Sequence, residues 1–542
     1  MVFACLGAWL SAACAPNGGS PGGTGGAAGS GATSGTGGSS TPGSGGSGGS
    51  TTPGSGGSGG SATPGSGGSA TAGAGGSATA GRGGNGTAGT GGGSPGGSGG
   101  APSSGDDFVS NVSVTVHPKT STILVVTWTQ LKAADTTALE FSFAGSATLT
   151  SHAVAGTTGA HRDVVLGVPG STAVTLRIVN HVGATDYRTK DYQGTTGAIP
   201  SGMPKPTIVS YDPNLASTDR YMFGAVEDSL GGCTDGTCYY HYTFWLYIMD
   251  RQGRMVWYWA DPTSNTISAF PRVARDGQYI VFEKRPASGS GAAMVVKMSL
   301  DGQYMATVQT PSLSDCFDQT TDGSILYDTN AELREITKAG TMRTIWSCRT
   351  AFGASYNCYT NTVNWNPADD SILISMPDPN TVIQIDRKMG NIIATYGDMA
   401  GSYTFSPSTW QFGFQHFPNI TPAGTLLVSS HMPGFRAHEQ AAGPNQHAFM
   451  EFTIDRTKKQ LVEKWIYVGQ EWPRAKGMAI RLPKGNTLAN FGEGGVIREL
   501  TPDMKTAFQV KFDVATGSDY FNKMVCNNVF VDDLYALNGA PN

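Results

Sequence analysis

Between Asp106 and Met203, apolar and polar residues alternate in short runs separated by turn residues. The runs are VSVTVHP, ILVVTWTQ, LEFSFAG, RDVVLGVP and AVTLRIVNHV. Alternation with a period of two gives a strand one buried face, and turns at this spacing are typical of a β-sandwich. We therefore predict a sandwich over residues 106–203, close in style to fibronectin type III, with Trp128 as its core aromatic.

From residue 204 to residue 542 the alternation continues, but it now repeats in longer units. Strands such as QYIVFEKR, SILYDT, SILISM and TLLVSS each follow a turn that contains Gly or Asp. A period of roughly 40–60 residues with about four strands per unit is typical of propeller blades, and the paired turns favour this over a β-helix or a second sandwich. The sequence thus predicts an all-β chain with a six-bladed β-propeller. Its units are 207–262, 266–310, 312–347, 357–398, 408–470 and 476–514, with a closing strand within 522–537.

A segment of strongly biased composition precedes the two predicted domains. Residues 15–105 are Gly-, Ser-, Thr- and Pro-rich, repeat TPGSGGSGGS-like units and contain one charged residue, Arg82. Such a segment cannot bury enough apolar surface to offset the entropy lost on ordering, so we predict a disordered tether.

Residues 1–14 have the pattern of an export signal. The run is apolar and small and ends LSAAC, which resembles a bacterial lipoprotein signal with Cys14 as the lipidated residue; an ordinary cleaved signal peptide is the alternative. We expect an exported protein, either an outer-membrane lipoprotein or a periplasmic or extracellular one. Any membrane contact would then be through an anchor at Cys14.

Cysteine spacing fits an oxidising compartment. Cys233 and Cys238 enclose a turn and Cys348 and Cys358 flank a short loop, which predicts two local disulfides. Cys316 and Cys526 are either free or paired across the propeller closure. Neither close pair has the ligands of a zinc site, so no metal or other cofactor is expected.

A net charge of −5 without a basic cluster excludes nucleic acid as a partner.

The turn glycines locate the candidate site. In a propeller the innermost strands all start at one mouth of the channel, so residues just before them converge. Eight positions before the turn glycines 277, 323, 424 and 485 lie chemically dissimilar residues, namely Ala269, Asp315, His416 and Gly477. The fourth unit places Tyr359, Thr360, Asn361 and Thr362 in the corresponding region. Because equivalent positions differ so much, we interpret this mouth as specialised.

Three segments carry a family resemblance. NTVNWNPADDSILISMPDPNTVIQIDRKMGNIIATYG, FGFQHFPNITPAGTLLVSSH and AKGMAIRLPKGNTLANFGEGGVIRELTP resemble consecutive blades of the PAPS-independent arylsulfate sulfotransferases, within a likeness over about 210–513. The resemblance implies that His416 is the nucleophile, taking a sulfuryl group from an aryl sulfate and passing it to a phenol without a cofactor. A neutral imidazole can form such a covalent intermediate.

The chain departs from that family around the same mouth. Asp315 and Tyr359 stand where the family has histidines, and the family's Arg would fall near Pro377; Asn361 keeps the expected polar character. We expect Asp315 to orient the His416 imidazole as triad carboxylates do. The candidates for holding sulfate oxygens are Arg436, Arg474 and Lys476.

Other interpretations of the same residues remain open. His431, His438 and His447 share one insertion, and without an HExxH helix or a companion Cys we interpret them as surface histidines rather than a metal site. The chain could also be a propeller polysaccharide lyase with Tyr359 and His416 as base and acid. A third alternative is a non-catalytic propeller that binds a glycan or protein at the cell surface.

Overall fold

Antiparallel β-sheets make up nearly all of the structure. The computed structural model describes residues 104–228, 243–260, 266–286, 292–432, 446–471, 476–512 and 524–539. The signal segment, residues 15–103 of the tether, Cys14, Cys233, Cys238, Arg436, His438 and Arg474 therefore lie outside the described residues. No helix within those ranges is long and apolar enough to span a bilayer.

Two sheets form the region that follows the tether. A 3-10 helix, Gly105–Phe108, precedes them. The first sheet has three strands: β1 (Val109–Val116), β2 (Leu124–Gln130) and β6 (Gly159–Val165). The second has six: β3 (Ala134–Phe143), β4 (Leu149–Thr150), β5 (Val154–Gly156), β7 (Ala173–Val182), β8 (Thr185–Arg188) and β9 (Tyr192–Thr195). Trp128 is buried in their shared core beside Leu139 and Ile178, so its predicted core position is confirmed.

Six further sheets, which we call sheets I to VI, follow within the described ranges. Sheet I contains β11 (Tyr221–Asp228), β12 (Thr243–Asp250), β13 (Met255–Ala260) and β36 (Val525–Val531). Sheet II contains β14 (Thr266–Ile267), β15 (Arg272–Val273), β16 (Ile280–Pro286), β17 (Met294–Met298) and β18 (Met305–Gln309). Sheet III contains β19 (Phe317–Gln319), β20 (Ile325–Asp328), β21 (Glu332–Ile336) and β22 (Met342–Ser347), and the short helix α1 (Cys348–Phe352) follows it.

The last three sheets each contain four consecutive antiparallel strands. Sheet IV contains β23 (Thr362–Asn366), β24 (Ser371–Met376), β25 (Thr381–Asp386) and β26 (Ile392–Gly397). Sheet V contains β27 (Thr404–Ser406), β28 (His416–Ile420), β29 (Leu426–Met432), β30 (Gln446–Asp455) and β31 (Gln460–Val468), with β27 parallel to β31. Sheet VI contains β10 (Pro206–Tyr211), β32 (Met478–Arg481), β33 (Thr487–Asn490), β34 (Val496–Leu500) and β35 (Thr506–Phe512). Short 3-10 helices lie at Gly492–Gly494 and Ala536–Asn538.

Both ends of this region are paired into sheets. The C-terminal strand β36 pairs antiparallel with β11 and becomes the first strand of sheet I, which confirms the predicted closing strand. The early strand β10 pairs with β35 and extends sheet VI. Sheet I, which is built mainly from early strands, thus includes the late strand β36. Sheet VI, which is built mainly from late strands, includes the early strand β10.

The first strands of the sheets follow one another in a ring. β36 contacts β15, β19 contacts β23, β23 contacts β28, and β28 contacts β32. Arg272 on β15 donates to the Phe317 carbonyl on β19 (3.1 Å), and the Asn490 side chain on β33 donates to Asn528 on β36. The residues just before these strands are therefore brought together.

Each turn glycine used above adopts the conformation that its turn requires. Gly277, Gly323, Gly424 and Gly485 have φ of 72°, 87°, 77° and 94°. Each donates its N–H to the carbonyl three residues earlier. A Cβ is disfavoured at such angles, so the glycine fixes where the following strand starts.

The two-sheet region packs directly on the ring. Ile123, Val164 and Leu166 belong to the same buried cluster as Phe223 of sheet I. The Tyr535 hydroxyl donates to the Val164 carbonyl (3.0 Å), and the Arg162–Asp301 ion pair (2.7 Å) adds a polar link. The described residues accordingly form one compact unit.

The structure shows which cysteines in the described ranges are bonded and which are free. Cys348 at the start of α1 is joined to Cys358 by the expected disulfide. Cys316 and Cys526 are buried and free, so they are not paired with each other.

Candidate functional site

The residues selected by the turn glycines converge. The imidazole of His416 contacts the Gly477 carbonyl, with 3.0 Å from Nδ1 to O, and its ring stacks 6.0 Å from Phe270, the residue after Ala269. Lys476 Nζ lies 4.4 Å from the Phe270 ring centroid and 3.0 Å from Asp315 Oδ1. Sheets II, III, V and VI thus contribute to one buried cluster.

Sheet IV holds the backbone around His416 on both sides. The Asn361 side chain donates to the Gln415 carbonyl (3.0 Å), and the Phe417 N–H donates to Thr362 Oγ1 (3.0 Å). Gln415 in turn donates to the Met376 carbonyl (2.8 Å). Asn361 is therefore a positioning residue, since its amide is used on the backbone.

Non-glycine residues beside the site adopt left-handed backbone conformations. φ is 42° at Phe414, 51° at Phe417 and 67° at Lys476. Such conformations persist only where the surrounding structure imposes them, and they concentrate at functional sites. Here they direct both the His416 ring and the Lys476 ammonium into the cluster.

His416 is neutral and has one nitrogen available. A carbonyl only accepts, so Nδ1 must carry the proton that is donated to Gly477, and Nε2 carries a lone pair. Burial, reinforced by the charge of Lys476, lowers the pKa of His416 to about 3. Nε2 is buried and has no hydrogen-bond partner among the described atoms. This is the state in which an imidazole acts as a nucleophile.

Asp315 is paired with two cations. Its Oδ1 accepts from Lys476 Nζ and from Arg285 Nη2, both at 3.0 Å, whereas no described group donates to the buried Oδ2. Burial alone would raise the pKa of Asp315, but Lys476 and Arg285 hold it below the usual value, so the carboxylate is ionised. The expectation that Asp315 orients the imidazole is wrong, because a backbone carbonyl of sheet VI does so.

The position of the carbonyl that accepts from His416 depends on glycine at residue 477. Its φ is +93°, and a Cβ there would lie 2.6 Å from His447 Cε1 and 2.7 Å from Ser429 Oγ. A side chain at this position would strain the backbone and displace its neighbours. The absence of a side chain therefore allows sheet VI to approach sheet V closely.

Two further histidines lie within the fold. His431 on β29 and His447 on β30 are opposite each other in the ladder, 5% and 0% exposed, so interpreting them as surface residues was wrong. Their ring centroids are 4.4 Å apart, and His431 is 6.5 Å from His416. His447 Nε2 hydrogen-bonds Ser429 Oγ (2.7 Å), and burial lowers its pKa well below the usual value. His431 and His447 are close to each other because the strands that carry them are paired, not because they share an exposed insertion.

Buried carboxylates support the mouth from the second strands. Glu283 on β16 accepts from the Ala269 N–H (2.7 Å), and Asp328 on β20 accepts from the Cys316 N–H (2.9 Å). Burial raises the pKa of Glu283 to about 7 and that of Asp328 to about 6. Glu283 follows the turn glycine Gly277 by six positions, and Asp328 follows Gly323 by five. This regular spacing could have identified both residues from the sequence.

The other predicted site residues have different outcomes. Lys476 lies in the cluster as expected, while Arg436 and Arg474 fall outside the described residues. Tyr359 is half-buried, and the described contacts include no hydrogen bond or ring contact between it and His416. Arg285, at the end of β16, was missed because the turn glycines mark only the first strand of each sheet.

No group of three or more His, Cys, Asp or Glu side chains in the described ranges is arranged to hold a metal ion.

Comparison with known proteins gives distant structural neighbours. No family model matches the chain, and no curated protein matches it either. A streptogramin B lyase is similar at 13% identity and a TM-score of 0.33, over 58% of this chain and 89% of that one. Hsv2 from Kluyveromyces marxianus is similar at 8% and 0.31, over 68% and 94%. The calcium-binding protein regucalcin from Agrobacterium tumefaciens is similar at 12% and 0.29, over 51% and 84%. These identities and TM-scores do not assign the chain to a family.

Proposed function

We propose that sheets I to VI are the blades of a six-bladed β-propeller behind a fibronectin type III-like sandwich, and that the chain is an arylsulfate sulfotransferase. It would transfer a sulfuryl group from an aryl sulfate to a phenol through a sulfohistidine at His416. The observation that carries the proposal is the buried, neutral His416, with Nδ1–H fixed on the Gly477 carbonyl and Nε2 left with a lone pair.

In the first step the Nε2 lone pair of His416 attacks the sulfur of the aryl sulfate. The N–S bond forms as the bond from sulfur to the aryl oxygen breaks, and the aryl oxygen leaves as a phenolate. The ring gains a positive charge, and its Nδ1–H still donates to the Gly477 carbonyl (3.0 Å). That carbonyl dipole, already oriented before the reaction, stabilises the charge as it develops.

In the second step the phenol acceptor restores the enzyme. Its oxygen attacks the sulfur, the N–S bond breaks, and the electron pair returns to Nε2. The acceptor's proton neutralises the phenolate released in the first step, so one sulfate ester and one phenol yield another sulfate ester and another phenol. No oxidant, reductant or cofactor is required.

Cations at the cluster fit the charge of the group in transfer. Sulfuryl transfer resembles phosphoryl transfer in spreading negative charge over peripheral oxygens, which cationic donors stabilise. Lys476 Nζ and Arg285 Nη2 converge on one oxygen of Asp315. These two residues would replace the arginine that the family has near Pro377.

The place of this activity in the cell follows from the N-terminal pattern. We infer that the signal within residues 1–14 exports the chain and that the tether of residues 15–105 separates the folded part from a lipid anchor at Cys14. Palmitate labelling of the wild type and of Cys14→Ser tests the anchor.

A turnover assay tests the proposed activity. The purified protein is incubated with chromogenic aryl sulfates and phenol acceptors, and release of the donor phenol is followed. His416→Asn should lower turnover by on the order of 1000-fold or more, as is typical when a covalent nucleophile is removed. His181→Asn is the matched control, since His181 is exposed on the sandwich. No turnover by the wild type across several donors would refute the transferase and leave the binding propeller.

A further inference from the structure

The hydrogen bond from Nδ1 to the Gly477 carbonyl does not by itself fix the plane of the His416 ring. One bond holds a single ring atom, and the imidazole can still tilt about it. The lone pair of Nε2 lies in the ring plane, so a tilt changes the direction from which Nε2 attacks. A misplacement of about 1 Å costs on the order of 100-fold in rate. A contact on the face of the ring is therefore needed to keep one direction.

Phe270 makes that contact. Its ring is nearly parallel to the His416 ring, with an interplanar angle of 16° and 6.0 Å between the centroids. This offset stacking is one of the arrangements that aromatic rings prefer. His431 is almost perpendicular to His416, at 83° and 6.5 Å, and so it does not stack on that face. Phe270 is 1% exposed, so its ring has little freedom to move away from the imidazole.

The ring of Phe270 also lies against a cation of the cluster. Lys476 Nζ is 4.4 Å from the Phe270 centroid, within the range of a cation–π interaction. Lys476 directly precedes Gly477, whose carbonyl accepts from His416. One aromatic ring of sheet II thus contacts the imidazole of sheet V and the residue beside its hydrogen-bond acceptor on sheet VI.

The backbone that carries Phe270 is held by a buried carboxyl group. Glu283 Oε1 accepts from the N–H groups of Ala269 (2.7 Å) and Phe270 (3.1 Å), and the Phe270 nitrogen is also 3.0 Å from Oε2. Glu283 lies on β16 and is 0% exposed. Buried N–H groups that lose their acceptor destabilise the segment that contains them. The position of the Phe270 ring therefore depends on Glu283.

Resting on the proposed function, we propose that Phe270 is a positioning residue for the sulfuryl transfer. Its ring fixes the plane of the His416 imidazole so that the Nε2 lone pair keeps one direction, and Glu283 fixes the ring through the backbone. Neither Phe270 nor Glu283 forms or breaks a bond in the reaction. Loss of the ring should lower kcat more than it raises KM, because it changes the direction of attack while Lys476 keeps its ion pair with Asp315.

The tautomer of His416 tests this proposal without catalysis. Long-range proton–nitrogen spectra of the full-length protein with labelled histidine show which ring nitrogen carries the proton, and His416→Asn assigns the signals. The wild type should contain the Nδ1–H tautomer alone. In Phe270→Leu the two nitrogen signals should move towards each other, because a tilted ring no longer holds its bond to Gly477. Phe282→Leu, which removes an equally buried ring from sheet II, should leave the signals unchanged.

Kinetics and changes at Glu283 give further readouts. In Phe270→Leu, kcat for an aryl sulfate should fall by about 10- to 100-fold while KM changes by less than about threefold. Phe282→Leu should change neither. Glu283→Gln keeps an oxygen that can accept from both N–H groups, so the wild-type tautomer should be retained. Glu283→Leu removes the acceptor and should behave as Phe270→Leu does.

Three results would overturn the proposal. They are a mixture of His416 tautomers in the wild type, equal changes in Phe270→Leu and Phe282→Leu, and an unchanged tautomer in Phe270→Leu. If Phe270→Leu does not fold, the comparison of Glu283→Gln with Glu283→Leu decides, and identical tautomers in both overturn it. A shifted tautomer in Phe270→Leu with no turnover by the wild type would instead count against sulfuryl transfer and leave the positioning of His416 intact.

Discussion

Asp315 and Asp318 lie three residues apart at the start of sheet III, and both are buried aspartates next to two cations, yet they are used differently. Asp318 accepts from the backbone N–H groups of Gln319 (2.7 Å) and Trp365 (2.8 Å), and Arg275 contacts both of its oxygens. Asp315 concentrates its two cations on one oxygen and leaves the other without a described donor.

The difference separates a structural carboxylate from a functional one. A buried polar group whose hydrogen bonds are all made holds elements together, and Asp318 joins sheets II, III and IV in this way. An incompletely satisfied group needs another explanation, and Asp315 lies with His416, whose Nε2 is also without a partner. Hydrogen-bonding capacity therefore remains at the candidate site, on Asp315 Oδ2 and His416 Nε2.

The largest effect that we expect concerns stability at Asp318. Asp318→Asn removes the charge that neutralises Arg275 and cannot accept on both sides, so the free energy of unfolding should fall by about 3–5 kcal/mol. Denaturant unfolding of Asp318→Asn and Asp315→Asn compares the two sites. A smaller loss at Asp318 than at Asp315 would reverse the assignment of roles.

A change at Gly477 separates the orientation of His416 from its chemistry. Gly477→Ala places a methyl group against His447 and Ser429 and should shift the carbonyl that accepts from His416. A displacement of about 1 Å costs on the order of 100-fold in turnover, which we expect to appear in kcat rather than KM. Gly485→Ala is the control, since its φ is also positive but Pro502, at 3.6 Å, is the nearest neighbour of an added Cβ. An unchanged kcat in Gly477→Ala would remove the orienting role.

The Cys348–Cys358 disulfide should behave as a structural feature. It closes a loop of 10 residues between sheets III and IV, so Cys348→Ser should lower the free energy of unfolding by about 2–3 kcal/mol. Thermal melts with and without a reductant measure this. A wild type whose melt does not change under full reduction would contradict it.

The smallest expected effect is the response of turnover to pH. Burial and Lys476 lower the pKa of His416 to about 3, so the nucleophile stays neutral above that value. A histidine with the ordinary pKa of about 6.5 would lose roughly 30-fold between pH 7.5 and pH 5. We expect kcat/KM for an aryl sulfate to change by less than about threefold over this range. A steep fall centred near pH 6.5 would show that the nucleophile is protonated there.

Sequence periodicity was sufficient for the positions of the first strands. The turn glycines placed His416, Asp315 and Gly477 at one mouth because each fixes where a strand begins, and Cys348–Cys358 was predictable because its partners are close in sequence. Arg285 was not found, and His431 and His447 were wrongly assigned to the surface, since all three reach the cluster from second and third strands after a change of direction.

The role of Asp315 could not be derived from residue types. A carboxylate near a histidine suggests a triad, but the acceptor for His416 is the carbonyl of Gly477. Every residue has a main-chain carbonyl, so a sequence does not show which one accepts a particular hydrogen bond. The cations that pair with Asp315 come from sheets II and VI, far from it along the chain. Such pairings depend on how the sheets are packed.

Trapping the intermediate tests the central claim most directly. The protein is mixed with phenyl sulfate and no acceptor, digested under mildly alkaline conditions, and its peptides are sequenced by mass spectrometry. The proposed mechanism predicts one sulfuryl group on His416 that disappears when a phenol is added and is absent from His416→Asn. Turnover with no adduct on His416, or with the adduct on another residue such as Tyr359, would contradict it.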